Sequence, residues 1–388
     1  MSSAATLDRE TISTAAKKHK RSSSDLSVDE LYSLTDGLTS ILRKIEDAQK
    51  KYGDLEELHF LSDETKSTIT QVQIFQNLKK KDPDAVIVLL SNMDEKILRE
   101  RLGLREIKTI GVDNGSPIVF LENLLPALKA QSVAYQLDTI ADVVNHHWNH
   151  ASLLDTLRTI DTAVNKKSEA ASRISIDAWL LQGIQLIQEI DIKYKSVLFP
   201  ELLIWSRNSE SDDPPVIRYE GQATFLAGST DYAFLSVLPS GENVSDERVQ
   251  ARLLDSDNAV RSLHFLTDRD TLNIYEAKRA SKSLEAHRPQ VIAQCLAIMA
   301  KWNASHYNRI DKLPFTLTTG TIWLFGIVDS ERMSCIMTAE MSLDNKALRI
   351  AAERKDPSDR SLQALMTLIL IWSTQPGDVI KAAMTTLQ

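Results

Sequence analysis

The sequence predicts a mostly α-helical N-terminal module over residues 27–170, followed by a C-terminal α/β domain over residues 171–388 with a mixed central sheet flanked by helices. Three observations carry this. Apolar residues from Leu31 onward recur at helical spacing. Beyond Pro215, β-like runs alternate with helical segments. One of those runs, Leu272 to Lys278, changes from apolar to ionic where it ends.

Residues 1–26 are rich in Ser, Thr, Ala and Lys without apolar periodicity, the composition of a disordered tail. Within them, Lys17-Lys18-His19-Lys20-Arg21 is a basic cluster of the kind that serves as a nuclear-import signal or a phosphate-binding arm. Ser27-Val28-Asp29-Glu30 fits a capping box, and Leu31, Leu34, Leu38, Ile41, Leu42 and Ile45 mark one face of the helix it opens. Gly53 ends that helix, and a second runs through Leu55, Leu58, Leu61, Ile69, Val72 and Phe75. Ala85 to Leu90 is a short apolar run, and Glu95 to Leu102 is a helix that Gly103 stops. Ile107 to Val112 and Pro117 to Leu121 flank the turn dipeptide Asn114-Gly115 and read as a small hairpin. The pattern is helical again from Asn123 to Asn165. If the C-terminal domain serves binding rather than catalysis, this module is expected as the docking surface for a protein partner.

An amphipathic helix follows from Ala171 to Tyr194. Asn208 to Pro215 is a loop by composition. The β-like runs are Thr224 to Leu238, His264 to Lys278, Phe315 to Val328 and Met333 to Met341. Helices are expected from Pro289 to Trp302 and from Ser361 to Trp372.

The chain has 388 residues, 43% hydrophobic and 25% charged, enough for two parts and a sizeable core. Its strongest apolar run, Ala364 to Trp372, is too short to span a bilayer, so no membrane partner is expected. Two cysteines, Cys295 and Cys335, do not make a disulfide scaffold, and a reduced intracellular compartment follows. Cys295 lies among Ile292, Leu296 and Met299 as a small buried hydrophobe. A net charge of −8 excludes bulk electrostatic coating of nucleic acid but not a local basic groove.

Phosphodiester hydrolysis needs an in-line water and neutralisation of phosphate charge. Carboxylates that hold a divalent cation supply both, and a neighbouring lysine stabilises the developing charge. The minimal pattern is an Asp in one strand and Glu-x-Lys at the end of the next. In Leu272-Asn273-Ile274-Tyr275-Glu276-Ala277-Lys278, alternation puts Leu272, Ile274, Glu276 and Lys278 on one face. Asp231 falls inside the β-like run upstream, where burial is expensive without a pair or a metal. Asp231 and Glu276 are therefore expected on adjacent strands with carboxylates within roughly 4–6 Å. A structural ion-pair network at a strand end is the other arrangement these three residues suit.

The triplet itself is common. Asp/Glu-x-Lys also occurs at Glu64–Lys66, Asp94–Lys96, Glu106–Lys108, Asp191–Lys193, Asp344–Lys346 and Glu353–Lys355. Only Glu276–Lys278 ends a clear β run, follows an Asp-bearing one and precedes an amphipathic helix. Arg279, Lys282, His287 and Arg288, just beyond it, suit a phosphate-facing edge or a solvated loop. His146 and His150 stand one helical turn apart, but without the Glu of a zinc protease or a third ligand they read as a polar helix face.

The order Gly228-Ser229-Thr230-Asp231-Tyr232, then Tyr275-Glu276-Ala277-Lys278, Arg288-Pro289-Gln290, and Thr318-Thr319-Gly320-Thr321-Ile322-Trp323-Leu324-Phe325 resembles the PD-(D/E)XK, restriction-endonuclease-like superfamily. Within it, the order is similar to the nuclease-like domains of fungal Crinkler-type and related proteins. The resemblance covers residues 175–330. It implies a nuclease dependent on Mg²⁺ or Mn²⁺ and acting on DNA or RNA, with Asp231 and Glu276 as metal ligands. It further implies that Lys278 positions the water or stabilises charge, and that Gln290 contacts substrate or water. Many members place an acidic residue on the first helix, and Glu189 and Glu201 both compete for that role here. The stretch Ser240 to Ser262 is then an insertion. The rival expectation is an inactive nuclease fold that binds nucleic acid or protein.

Overall fold

A computed structural model describes residues 28–52, 56–82, 84–131, 136–164, 169–190, 195–205, 214–237, 260, 270–279, 283–305, 309–343 and 358–388. The basic cluster Lys17–Arg21, the capping Ser27, most of the Asn208–Pro215 loop and nearly all of Ser240–Ser262 lie outside these residues. The chain falls into two compact units. One is Met1–Val88 with Arg207–Glu210 and Glu220–Phe225. The other is Leu89–Ser206, Ser211–Tyr219 and Leu226–Gln388.

Among the described residues, the first unit is built on the helices α1 (Val28–Tyr52) and α2 (Glu56–Lys81). Of the expected face on α1, Leu31 is buried and Leu38, Leu42 and Ile45 are half-buried, a seam at three- and four-residue spacing. Leu34 and Ile41, one heptad apart on its flank, are exposed. Gln76 of α2 donates to the Thr35 hydroxyl at 2.9 Å, and the Lys80 ammonium stands 5.3 Å from the centre of the Tyr32 ring. Strand β1 (Val86–Leu89) follows.

The second unit opens with α3 (Glu95–Glu100), whose N-cap Asp94 accepts from the Ile97 amide at 2.7 Å. That cap accounts for one of the stray Asp-x-Lys triplets. Gly103, at φ +74°, lets the chain turn where a Cβ would strike the Tyr219 ring. Strand β2 (Glu106–Ile110) comes next, but its expected hairpin partner is a helix: α4 (Pro117–Lys129) starts where a strand was expected. Ser116 is its N-cap and Pro117 fills the first turn, where a missing N–H costs nothing. Asn114-Gly115 turns the chain through a short 3₁₀ segment.

Helices α5 (Leu137–Asp142), α6 (His150–Ala163) and α7 (Glu169–Ile190) follow. Between α5 and α6, Val143–His147 forms a π-turn and Trp148 is extended and buried. His146 and His150 therefore do not share one continuous helix. The remaining elements are β3 (Lys195–Pro200), β4 (Val216–Tyr219), β5 (Gln222–Ala227), β6 (Tyr232–Val237), β7 (Thr271–Ala277), α8 (Arg288–Ser305), β8 (Lys312–Thr318), β9 (Ile322–Asp329), β10 (Ser334–Thr338), β11 (Met341–Ser342), α9 (Ser358–Thr374) and α10 (Gly377–Thr386). The expected run Thr224 to Leu238 is two strands, broken at Gly228–Asp231. The run Phe315 to Val328 is likewise a hairpin turning at Thr319–Thr321.

The sheet order is β2-β10-β9-β8-β7-β6-β3, with β11 on β9. The β2/β10 and β7/β8 pairs are parallel and the others antiparallel, so the sheet is mixed. Glu106–Ile110, expected in the helical module, is thus hydrogen-bonded to the edge of this sheet. One face carries Phe234, Tyr275, Trp323, Phe325 and Ile327 into a core shared with α4, α7, α9 and α10. Trp179, Trp323 and Phe325 pack in series, with ring centres 5.8 and 6.2 Å apart. Each such buried ring contributes about 1.5–3 kcal/mol. The run Ala364 to Trp372 is the buried heart of α9, and no helix among the described residues is long and apolar enough to cross a membrane.

The β8–β9 turn shows why its glycine is needed. Gly320 sits at φ +87°, and a Cβ there would lie 2.8 Å from that of Ser175 on α7. The Thr318 hydroxyl accepts from the Gly320 amide at 2.9 Å, and the Trp323 indole donates to the Gly320 carbonyl at 3.3 Å. Strand alternation sends Ile274, Glu276, Phe315 and Leu317 to the opposite face of the sheet, on which α8 packs.

Candidate active site

Asp231 is the last residue of the break between β5 and β6. The segment after β3 folds back along this break: Ile204 donates to the Gly228 carbonyl at 3.2 Å, Thr230 donates to Leu202 at 3.0 Å, and Glu201 donates to the Asp231 carbonyl at 2.7 Å. Because Tyr232 pairs with Tyr275 in the antiparallel ladder, Asp231 stands opposite Glu276 one step beyond. Its amide lies 3.4 Å from Glu276 Oε2, and its Oδ2 accepts from the Ala277 amide at 2.7 Å.

Glu276 is 2% exposed and Asp231 8%. Burying a carboxylate is costly unless its oxygens are supplied with donors. Glu276 Oε1 accepts from Lys278 Nζ and Gln290 Nε2, each at 2.6 Å, and Oε2 accepts from Gln294 Nε2 at 2.8 Å. Lys278, itself buried, is fixed through its amide, which extends the β7–β8 ladder onto the Thr318 carbonyl at 2.7 Å. The strand alternation seen in the sequence is what brings Glu276 and Lys278 to one face.

The structure thus gathers Asp231, Glu276, Lys278 and Gln290 in one place. Gln290 donates to Glu276 and so orients that carboxylate. Of the two competing glutamates, Glu201 is present and Glu189 is not. Position 189 lies sixteen residues along α7 from position 173, roughly 24 Å at the helical rise.

Three groups escape sequence reading. Gln294 sits one helical turn beyond Gln290, and its amide also donates to the Ser229 carbonyl at 2.9 Å. That spacing was a usable signal. Arg173 of α7 donates to Asp231 Oδ1 and, at 2.9 Å, to Glu201 Oε1, with Glu169 3.7 Å away. Its partner Asp231 is 58 residues distant, and nothing local marks the pair. Glu169 comes with it, one turn back along the helix. A cavity of about 420 Å³ opens on Arg173, Glu201, Ser229, Asp231 and Tyr232.

Burial pushes the Glu276 carboxyl up to about 7, reinforced by the Asp231 charge and opposed by Lys278 and Gln294. Asp231 is raised by burial, against the Arg173 guanidinium and the Ala277 amide. The Tyr232 hydroxyl is raised by burial and by its hydrogen bond to Asp177.

All the anionic donors here are carboxylate oxygens, the hard ligands that suit Mg²⁺ or Mn²⁺. Asp231 and Glu276 would hold such an ion, provided Arg173 gives way on Asp231. Among the described residues no three His, Cys, Asp or Glu side chains form a ready metal cluster; three carboxylates converge on a guanidinium instead. Arg279 directly after Lys278 is exposed, Arg288 pairs with Glu285 at 2.8 Å, and Lys282 lies outside the described residues. His146 and His147 are exposed beside Asp142, at 3.8 and 3.7 Å. Comparison of the chain with protein-family models and with curated proteins gives no match.

Proposed function

We propose that the domain carrying this sheet is restriction-endonuclease-like and hydrolyses phosphodiester bonds of DNA or RNA with Mg²⁺ or Mn²⁺. The observation that carries the reading is the approach of Asp231 and Glu276 from neighbouring strand ends, with the Lys278 ammonium 2.6 Å from Glu276. A bound divalent ion would supply the activated water and neutralise the phosphoryl oxygen.

The chain's own groups do the rest. Ala277 N–H and Arg173 fix the Asp231 carboxylate, while Gln290 and Gln294 hold Glu276 from the helix side. Lys278 brings a positive charge to the strand end without leaving Glu276. A phosphate beside it would gain charge-assisted donation as the leaving oxygen becomes negative. Glu276 is buried and the cavity opens at Arg173, so substrate approaches from the side of the cavity.

One observation favours a second reading, an inactive nuclease fold that binds nucleic acid or protein. Both Glu276 oxygens are already engaged, and Arg173 occupies Asp231. Incubation of the purified full chain with DNA and with RNA, in Mg²⁺ and in Mn²⁺, separates the two. Cleavage lost in Asp231→Ala supports the nuclease; a folded wild type that binds but never cuts supports the second reading.

A further inference from the structure

We propose that α1 pairs antiparallel with α1 of a second copy of this chain, across a two-fold axis at Gly37, so that the helical hairpin is a dimerisation element. This does not rest on the nuclease reading.

Beside the seam of Leu31, Leu38, Leu42 and Ile45, α1 carries a second stripe. Glu30, Leu34, Gly37, Ile41, Lys44 and Ala48 follow one another in alternating steps of four and three residues, the spacing of a helix–helix contact. On this stripe Leu34 is 41% exposed and Ile41 49%, and Glu30, Gly37 and Lys44 are exposed with them. Two large apolar side chains one heptad apart thus face outward between an acidic and a basic residue.

Gly37 stands in the middle of the stripe. Glycine is among the poorest helix formers, yet it lies inside a 25-residue helix. Nothing within the chain requires it there. Its backbone is helical, and an added Cβ would meet no described atom within 4 Å. A glycine on the open side of a helix is useful where another backbone comes close.

The charges select that backbone. A two-fold at Gly37 sets Glu30, seven residues before it, against Lys44 of the second copy, seven residues after it. The pair occurs twice, once at each end of the contact, with Leu34 lying beside Ile41 of the second copy between them. A parallel pair would instead oppose Glu30 to Glu30 and Lys44 to Lys44. The rest of α1 agrees. Its first half holds Asp29, Glu30 and Asp36 with no basic residue, and its second half holds Arg43, Lys44, Lys50 and Lys51 against Glu46 and Asp47. The patch is therefore complementary to itself in one orientation, as a two-fold interface must be. Charges at its rim set orientation more than affinity, and four apolar side chains make a small contact, so association is reversible with concentration.

Sedimentation equilibrium of the full-length chain over a wide concentration range tests this, with circular dichroism to check folding. Wild type should pass from monomer to dimer. Leu34→Ser with Ile41→Ser, both at exposed positions, should keep the helical signal and weaken association by roughly tenfold or more. Lys44→Glu should weaken it by opposing two carboxylates, and adding Glu30→Lys should restore it. Gly37→Gln should raise the melting temperature of the dilute monomer, through better helix propensity, while weakening the dimer. A wild type that stays monomeric throughout overturns the proposal, and so does a dimer unmoved by the Leu34 and Ile41 substitutions. A dimer that those substitutions weaken but the charge exchange does not restore overturns the antiparallel register.

Discussion

The Lys278 ammonium lies 2.6 Å from Glu276 Oε1, and both side chains are almost fully buried. Lysine alone does not keep the carboxyl at its ordinary value of 4.5, because burial and the Asp231 charge push it to about 7. The folded chain therefore holds a proton that the unfolded chain releases between those two values. More protons bound in the folded state means stability falls as pH rises through that window, and levels off above it.

The measurable consequence is a comparison with Glu276→Gln, which does not titrate. Without metal, wild type should lose stability relative to this variant between about pH 4.5 and about pH 7, on the order of a few kcal/mol. Thermal unfolding of the two proteins at a series of pH values checks it. A difference independent of pH would mean that Glu276 stays ionised throughout.

A second prediction concerns the turn that seats β8 and β9 against α7. Gly320→Ala meets two obstacles at once, a φ of +87° and a Cβ 2.8 Å from that of Ser175. A loss of about 1–3 kcal/mol is expected from strain and overpacking. Gly221, at φ +80° with nothing within 4 Å of an added Cβ, separates the two contributions. Gly221→Ala should cost only the backbone part, about 1 kcal/mol. Equal losses in chemical denaturation would show that the contact with Ser175 relaxes.

These residues also show what sequence reading reaches. Glu276 and Lys278 were legible because strand alternation is strict: once Leu272 and Ile274 define a face, the next two positions follow. Gln290 was reached only through the resemblance, and Gln294 stands one helical turn beyond it. Pro117 was misread because Asn114-Gly115 is a strong turn signal, whereas the Ser116-Pro117 start of a helix competes with it only when the following apolar residues are counted at helical spacing. Arg173 had no signature at all. Its role depends on β6 bringing Asp231 to the N-terminal half of α7, a relation set by sheet topology rather than by neighbours in the chain. The same is true of choosing Glu201 over Glu189, since nothing local shows that the segment after β3 folds back along Gly228–Asp231.

The last prediction takes the three buried groups apart by their chemistry. Asp231→Ala removes an expected metal ligand and frees Arg173 from its innermost partner, so metal binding and cleavage should be lost together. Glu276→Gln keeps shape but not charge and should behave the same way. Lys278→Ala leaves both carboxylates in place, so cleavage should slow by roughly 10²–10³-fold, the scale of losing one transition-state stabiliser, while metal binding survives. The geometry adds a condition to this. Without the ammonium, one of the forces holding the Glu276 carboxyl down is gone, and the proton competes with the metal to higher pH. The Lys278 variant must then be compared at about pH 8 or above as well as at neutrality. Metal affinity near that of wild type at the higher pH, with the slow chemical step retained, identifies Lys278 as acting on the reaction. Full recovery of rate at the higher pH would assign it to keeping Glu276 ionised, and wild-type activity in Lys278→Ala at every pH would place the chemistry at another site.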